Sequence, residues 1–266
     1  MAVRCLISYG SLLLLLPGVL GCKTAPRSPP GKHRPERDYV EEIRGSKVRF
    51  RMRWIPGGGF WIGETEVTWD EYLLYCDFEE TGRVPPGADA VSKPSKPQED
   101  VSPFDRDWGT GRRPAVGMSW NAAKRYCQWL SLNTGRLYRL PTEREWALAC
   151  EGAGRPLGDY AWYKDNSDYQ THEVGLKQPN VHGLHDMLGN LWEYCRDPYD
   201  ASEPDLAVLR GGAWSTPASE LGVGSRLRFD RDWVLDDPNE PPGVWWVPDG
   251  DHLGFRVLRP REGKKQ

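Results

Sequence analysis

Apolar and basic residues alternate in Val48-Arg49-Phe50-Arg51-Met52-Arg53-Trp54-Ile55, the period of a half-buried strand. Pro56 to Gly59 then turn the chain, and Phe60-Trp61-Ile62 makes a short second strand. From Thr68 a helical period takes over. Thr68 has capping-box spacing with Glu71, and Trp69, Tyr72, Leu73 and Cys76 fall on one face. Between Thr81 and Arg113 no periodicity survives, and a loop of that length is usually functional. Pro114 to Met118 reads as a strand that delivers the chain to Ser119, the N-cap of a helix burying Ala123, Tyr126, Cys127 and Leu130 and ended by Gly135. Thr142 and Glu145 repeat the capping box ahead of a helix that buries Trp146, Ala149 and Cys150 and stops at Gly152 and Gly154. Short strands and long turns follow, with no further helix. Three helices ahead of a meander predict an irregular, loop-rich α+β domain, with no internal repeat and no boundary inside residues 40–262.

The stretch Gly183-Leu-His-Asp-Met-Leu-Gly-Asn-Leu-Trp-Glu-Tyr-Cys195 concentrates the candidate chemistry. Gly189-Asn190 supplies a turn between two apolar runs. Asp186 and Glu193 are thereby carried into an apolar neighbourhood, where a carboxylate needs hydrogen-bond donors or a metal.

Composition agrees with a loop-dominated domain: the 266 residues include 29 Gly, 23 Pro and 13 Trp, which argues against a helical bundle. A net charge of -3 gives no electrostatic footprint for nucleic acid. At the amino terminus, Arg4 precedes an apolar run from Leu6 to Leu16, too short to span a bilayer, so residues 1–21 read as an export signal. Val19-Leu20-Gly21-Cys22 resembles a bacterial lipobox, which implies lipidation at Cys22; the alternative is an ordinary cleaved signal with an incidental cysteine. Residues 22–39 are Pro-rich and basic, a tether whose charges are either solvated or resting on anionic headgroups.

Taken together, Ile55-Pro56-Gly57-Gly58, Glu66-Val67-Thr68, Ser119-Trp120-Asn121-Ala122-Ala123, Arg139-Leu140-Pro141-Thr142-Glu143-Arg144-Glu145-Trp146, Gly183 to Glu193, Arg210-Gly211-Gly212-Ala213-Trp214 and Leu253-Gly254-Phe255-Arg256 resemble the formylglycine-generating enzymes, or sulfatase-modifying factors, in residues and in order. The resemblance implies a C-type-lectin-like fold, low in regular structure. The chain departs from it in the front hairpin, where Gly59 to Gly63 joins two motifs almost directly. A second departure bears on activity. Copper-dependent members oxidise a substrate cysteine with a cysteine pair that follows the Gly-Gly turn, whereas here Ala213-Trp214-Ser215-Thr216-Pro217 follows and no cysteine occurs after Cys195. A soft copper site needs thiolates, so copper is not expected. His252 also stands where the enzymes carry an asparagine.

The resemblance further implies structural Ca²⁺ at Asp186, Gly189, Leu191 and Glu193, hard oxygen donors gathered by one turn. The competing reading is a turn whose acids cap backbone amides. In an exported compartment Cys76, Cys127, Cys150 and Cys195 favour disulfides; three pairings are open, of which Cys76–Cys127 with Cys150–Cys195 is preferred. A reactive Cys195 beside Arg196 is the rival. Trp214, Ser215, Trp233, Trp245, Trp246 and His252 make a candidate ligand surface, unless the late tryptophans only pin their loop. The expected protein is a membrane-anchored, extracytoplasmic lipoprotein of the bacterial envelope that binds or scaffolds an envelope protein, peptide or glycan. The alternative is an oxidoreductase of the same family, either a sulfatase-maturing enzyme or an iron-dependent relative.

Overall fold

In the computed structural model, capping chemistry sets the helices where the sequence places it. α1 (Trp69–Asp77) starts behind Thr68, whose amide and hydroxyl both donate to Glu71 Oε1. α2 (Trp120–Thr134) starts where Ser119 Oγ accepts the Ala122 amide, and it ends at Gly135 in the left-handed region. α3 (Glu143–Ala149) repeats the box with Thr142 and Glu145. A four-residue helix, α4 (Leu157–Tyr160), is too short to leave a period in the sequence. The structure describes residues 36–78, 93–97, 103–152, 154, 156–238 and 241–261. Cys22 and the signal segment lie outside them, as do parts of the aperiodic loop.

Two four-stranded sheets complete the frame. In the first, β1 (Tyr39–Glu42), β2 (Arg49–Ile55) and β3 (Phe60–Gly63) form an antiparallel meander whose β2–β3 turn closes on the Ile55 carbonyl. The second is built from β4 (Trp192–Pro198), β5 (Ala207–Arg210), β6 (Arg226–Arg228) and β7 (Leu253–Gly254), with β7 parallel to β4. The last strand, β8 (Leu258–Pro260), returns to the edge of β3 in the first sheet.

Two expectations need correction. Pro114–Met118 is extended but is no strand: only isolated bridges join Pro114 to Thr68 and Met118 to Trp246, because each end meets a different partner. The ordered domain also begins before residue 40, since Asp38 Oδ1 accepts the Trp54 amide and the Arg37 carbonyl accepts Trp61 Nε1.

The core divides in two. α1 and α2 meet through aromatic rings, with Tyr72 stacked on Tyr126 at 5.6 Å, and this cluster continues to Phe255 and Trp246. A smaller cluster forms around Trp146, Met187, Ile62 and Leu258. The chain from Gly183 to Cys195 runs between them. Among the described residues no helix is long and apolar enough to cross a membrane.

Candidate functional site

The turn that the sequence singles out is built from the conformations it requires. Asp186, Gly189 and Asn190 all have positive φ, and Asn190 is wholly buried. Its amide joins distant segments: Nδ2 donates to Glu66 Oε1 at 3.0 Å, and Oδ1 accepts the His172 amide at 3.0 Å. Its carbonyl accepts the Trp214 amide at 2.9 Å.

Glu193, at the start of β4, is 0% exposed, and its carboxylate has found a cation. Arg256 donates Nη2 to Oε1 at 2.6 Å and Nε to Oε2 at 2.7 Å, while Trp146 Nε1 donates to Oε2 at 2.7 Å. The same guanidinium donates to the carbonyls of Gly63, at the end of β3, and of His185, each at 3.1 Å. One buried side chain therefore ties both sheets to the central turn. A two-point guanidinium–carboxylate pair is strong because both bonds are charge-assisted and share one plane.

This arrangement weighs against calcium at the expected set. Ca²⁺ takes six to eight oxygens, but Glu193 is spent on an internal cation, and a guanidinium in the cluster opposes a second positive charge. Among the described residues no group of three or more His, Cys, Asp or Glu is placed to hold a metal. The residues present do not fit calcium.

Asp186 has another relationship. Its Oδ2 accepts the Gly175 amide at 2.8 Å, while its Oδ1 and the Glu66 Oε2 are buried without hydrogen-bond partners. Burial first, and then repulsion from Asp186, holds the Glu66 carboxyl well above the usual range. Burial raises Asp186 as well. A carboxyl raised in the folded state adds stability that is complete below its unfolded pKa and is lost as pH rises through its folded one. Stability should therefore fall as pH climbs above the ordinary carboxyl value of 4.5. Glu71 contributes in the same direction, its carboxyl being pushed up to about 7 by burial. Glu66→Gln copies the protonated acid and should flatten part of this slope. Urea unfolding at acidic, neutral and mildly alkaline pH measures it, and an unchanged slope would show that Glu66 is already ionised.

At the end of β5, Gly211 and Gly212 turn with positive φ, and a Cβ on Gly212 would lie 2.1 Å from the Leu221 side chain. Trp214 follows where the oxidases place chemistry, and it is packed away: Nε1 donates to the Asp251 carbonyl at 3.2 Å, and its own carbonyl accepts Ser167 Oγ at 2.8 Å. Its ring meets Trp108 edge-on at 5.3 Å. Trp108 comes from the aperiodic segment and was not among the expected site residues; a lone tryptophan between glycines and charges carries no periodic signal.

Trp108 opens onto a cleft of about 500 Å³, walled also by Trp69 and Phe104, with Arg106, Asp107 and Thr110 at the rim and Thr171 on the floor. Backbone bonds hold this cleft to α1, because the Arg113 and Gly111 carbonyls accept the first free amides of the helix, from Trp69 and Asp70. Arg106 pairs with Asp251 at 2.7 Å, which connects the rim to the Trp214 turn.

The six expected surface residues thus separate. Trp214 and Trp246 back the cleft, Trp246 through Phe104 at 5.0 Å and Trp69 at 6.5 Å. Trp233 meets His252 edge-on at 4.7 Å and braces the late loop. Trp245 is half-buried, and its carbonyl accepts the Ser119 amide. Ser215 is exposed.

The four thiols are free and buried in this structure. Each expected pair does share one cluster, Cys76 with Cys127 and Cys150 with Cys195, but each sulfur packs as a small apolar group. Burial pushes Cys76 and Cys150 up to about 12 and raises Cys127 and Cys195 well above the ordinary thiol range too, so none is a thiolate near neutrality. Cys195 gains nothing from its neighbour, since Arg196 points to solvent.

The family model described as "Sulfatase-modifying factor enzyme 1-like domain" matches residues 41–237. The chain belongs to the sulfatase-modifying-factor family. It is 33% identical over 167 residues to "Inactive C-alpha-formylglycine-generating enzyme 2" of Bos taurus, covering 54% of this chain and 49% of that one. It is also 33% identical over 146 residues to "Formylglycine-generating enzyme" of Streptomyces coelicolor, covering 40% and 44%. The chain therefore spans about half the length of these relatives. Relatives named as active and as inactive are both 33% identical to it, the inactive one over more of this chain (54% against 40%), so family membership by itself leaves activity to the site residues. Among solved structures, "Treponema denticola variable protein 1" aligns with a TM-score of 0.59 at 22% identity, covering 84% of this chain and 98% of that one, which establishes the shared fold.

Proposed function

We propose that this chain is a non-catalytic sulfatase-modifying-factor domain, exported and held by lipid at Cys22 to a bacterial membrane, where it binds a partner of the envelope. One observation carries the reading: the turn at Gly211–Ser215 presents a packed tryptophan in place of a thiol, and the four thiols within the fold are buried and protonated. An oxidase that activates oxygen on soft copper needs accessible thiolates. The likeness to a relative named as inactive supports the same reading.

The binding surface in this proposal is the cleft beside Trp214 rather than the late tryptophan loop, whose rings are used in packing. A rigid aromatic wall with a few polar groups is the usual form of a small-ligand site. The test offers the mature protein copper, oxygen and a cysteine-bearing sulfatase peptide; no turnover is expected.

A further inference from the structure

We propose that the cleft walled by Trp69, Phe104 and Trp108 is a carbohydrate site that takes one or two sugar rings, a proposal resting on the reading of the domain as a binder. Its volume of about 500 Å³ falls within the usual range of small-molecule sites and suits a compact ligand. Sugar rings present an apolar face and a girdle of hydroxyls that both donate and accept. The cleft offers the complement. Trp108 is half-buried and is fixed edge-on against Trp214, so its ring is set before a ligand arrives and little entropy is lost on binding. Around it stand a donor held in place by an ion pair, Arg106 on Asp251, an acceptor in Asp107, and the hydroxyl of Thr110, with Thr171 buried beneath them. Thr171 is held from below by Arg113, which donates to its carbonyl.

Two other ligand classes fit less well. An anion would need a net positive field, but Lys96 is paired with Asp77 at 2.8 Å and Arg106 with Asp251, and Asp107 adds a negative charge. A peptide that binds by adding to a strand edge finds no such edge here, since the described walls are a helix and irregular chain.

The experiment titrates the mature protein calorimetrically with cellobiose, maltose, lactose and N,N′-diacetylchitobiose up to about 10 mM, weak affinity being ordinary for one small site. Gly-Trp-Gly and Gly-Pro-Phe serve as peptide probes. Saturable binding of at least one disaccharide is expected, weakened about tenfold in Trp108→Ala. Thr110→Val, which leaves the aromatic wall intact, should weaken it severalfold and covers the case in which Trp108→Ala fails to fold. No disaccharide binding, binding that both variants leave unchanged, or binding of the peptides alone would overturn the proposal. In each of those outcomes the non-catalytic reading still stands if the peptide assay shows no turnover, and falls if it does.

Discussion

Arg256→Ala is expected to destabilise the domain by about 3–5 kcal/mol, the usual cost of removing one partner from a buried ion pair. Glu193 would remain buried with only Trp146 Nε1 as a donor, and the carbonyls of Gly63 and His185 would lose theirs. At the size of this domain each kcal/mol is worth about 2–4 °C, so the melting temperature should drop by roughly 6–20 °C. Arg256→Lys should recover only part of the loss, because an ammonium is a point charge that cannot hold both carboxylate oxygens in one plane. Thermal melts with calcium and with chelator complete the test. Since Glu193 is committed to the guanidinium, calcium should not stabilise the parent. A calcium-dependent rise in the parent would place the cation back at the Asp186 turn.

Gly189→Ala should cost as much or more. A Cβ there would lie 2.1 Å from the Trp162 carbonyl oxygen and within 3.0 Å of two further backbone atoms, at a φ of +77°. Backbone cannot swing aside as a side-chain tip can, so the turn must open and Asn190 must release its contacts. A loss of about 4 kcal/mol or outright failure to fold is expected, at the severe end for a point substitution. Gly59→Ala separates overlap from strain. Gly59 has a φ of +68° with nothing within 4 Å of the added atom, so only the left-handed penalty of about 1–2 kcal/mol applies. Comparable losses in the two variants would mean that the approach of Trp162 to Gly189 is looser than the structure has it.

What the sequence made legible was local. The Thr68–Glu71 and Thr142–Glu145 boxes, the Ser119 cap, the Gly135 stop and the tight turn after Ile55 all satisfy backbone groups within a few residues, so the spacing alone reveals them. The Gly189-Asn190 turn was legible for the same reason. Its partners were not: Asn190 reaches Glu66 across 124 residues, and Arg256 reaches Glu193 across 63. Glu66 and Arg256 both stand inside motifs that identify the family, yet a motif names a residue without saying what it touches. The addition of β8 to β3 and the parallel pairing of β7 with β4 are equally non-local.

The expected calcium site shows how this matters for function. Spacing gathered Asp186 and Glu193 around one turn, but the charge that pairs with Glu193 comes from Arg256, in the link between β7 and β8 and 63 residues further along the chain. The cleft was hidden differently. Trp108 belongs to a segment without period, and its role is visible only once Trp214, Phe104 and α1 surround it. Of the expected surface residues, Trp214 and Trp246 back this cleft, while Trp233 braces the late loop.

The most direct test of the account is turnover. The purified mature protein, supplied with copper and a reductant in aerated buffer, is incubated with a cysteine-containing sulfatase peptide beside an active formylglycine-generating enzyme, and the peptide is followed by mass. The account predicts that the peptide keeps its cysteine with this protein while the active enzyme converts it. Copper-dependent conversion of cysteine to formylglycine by this chain would contradict it.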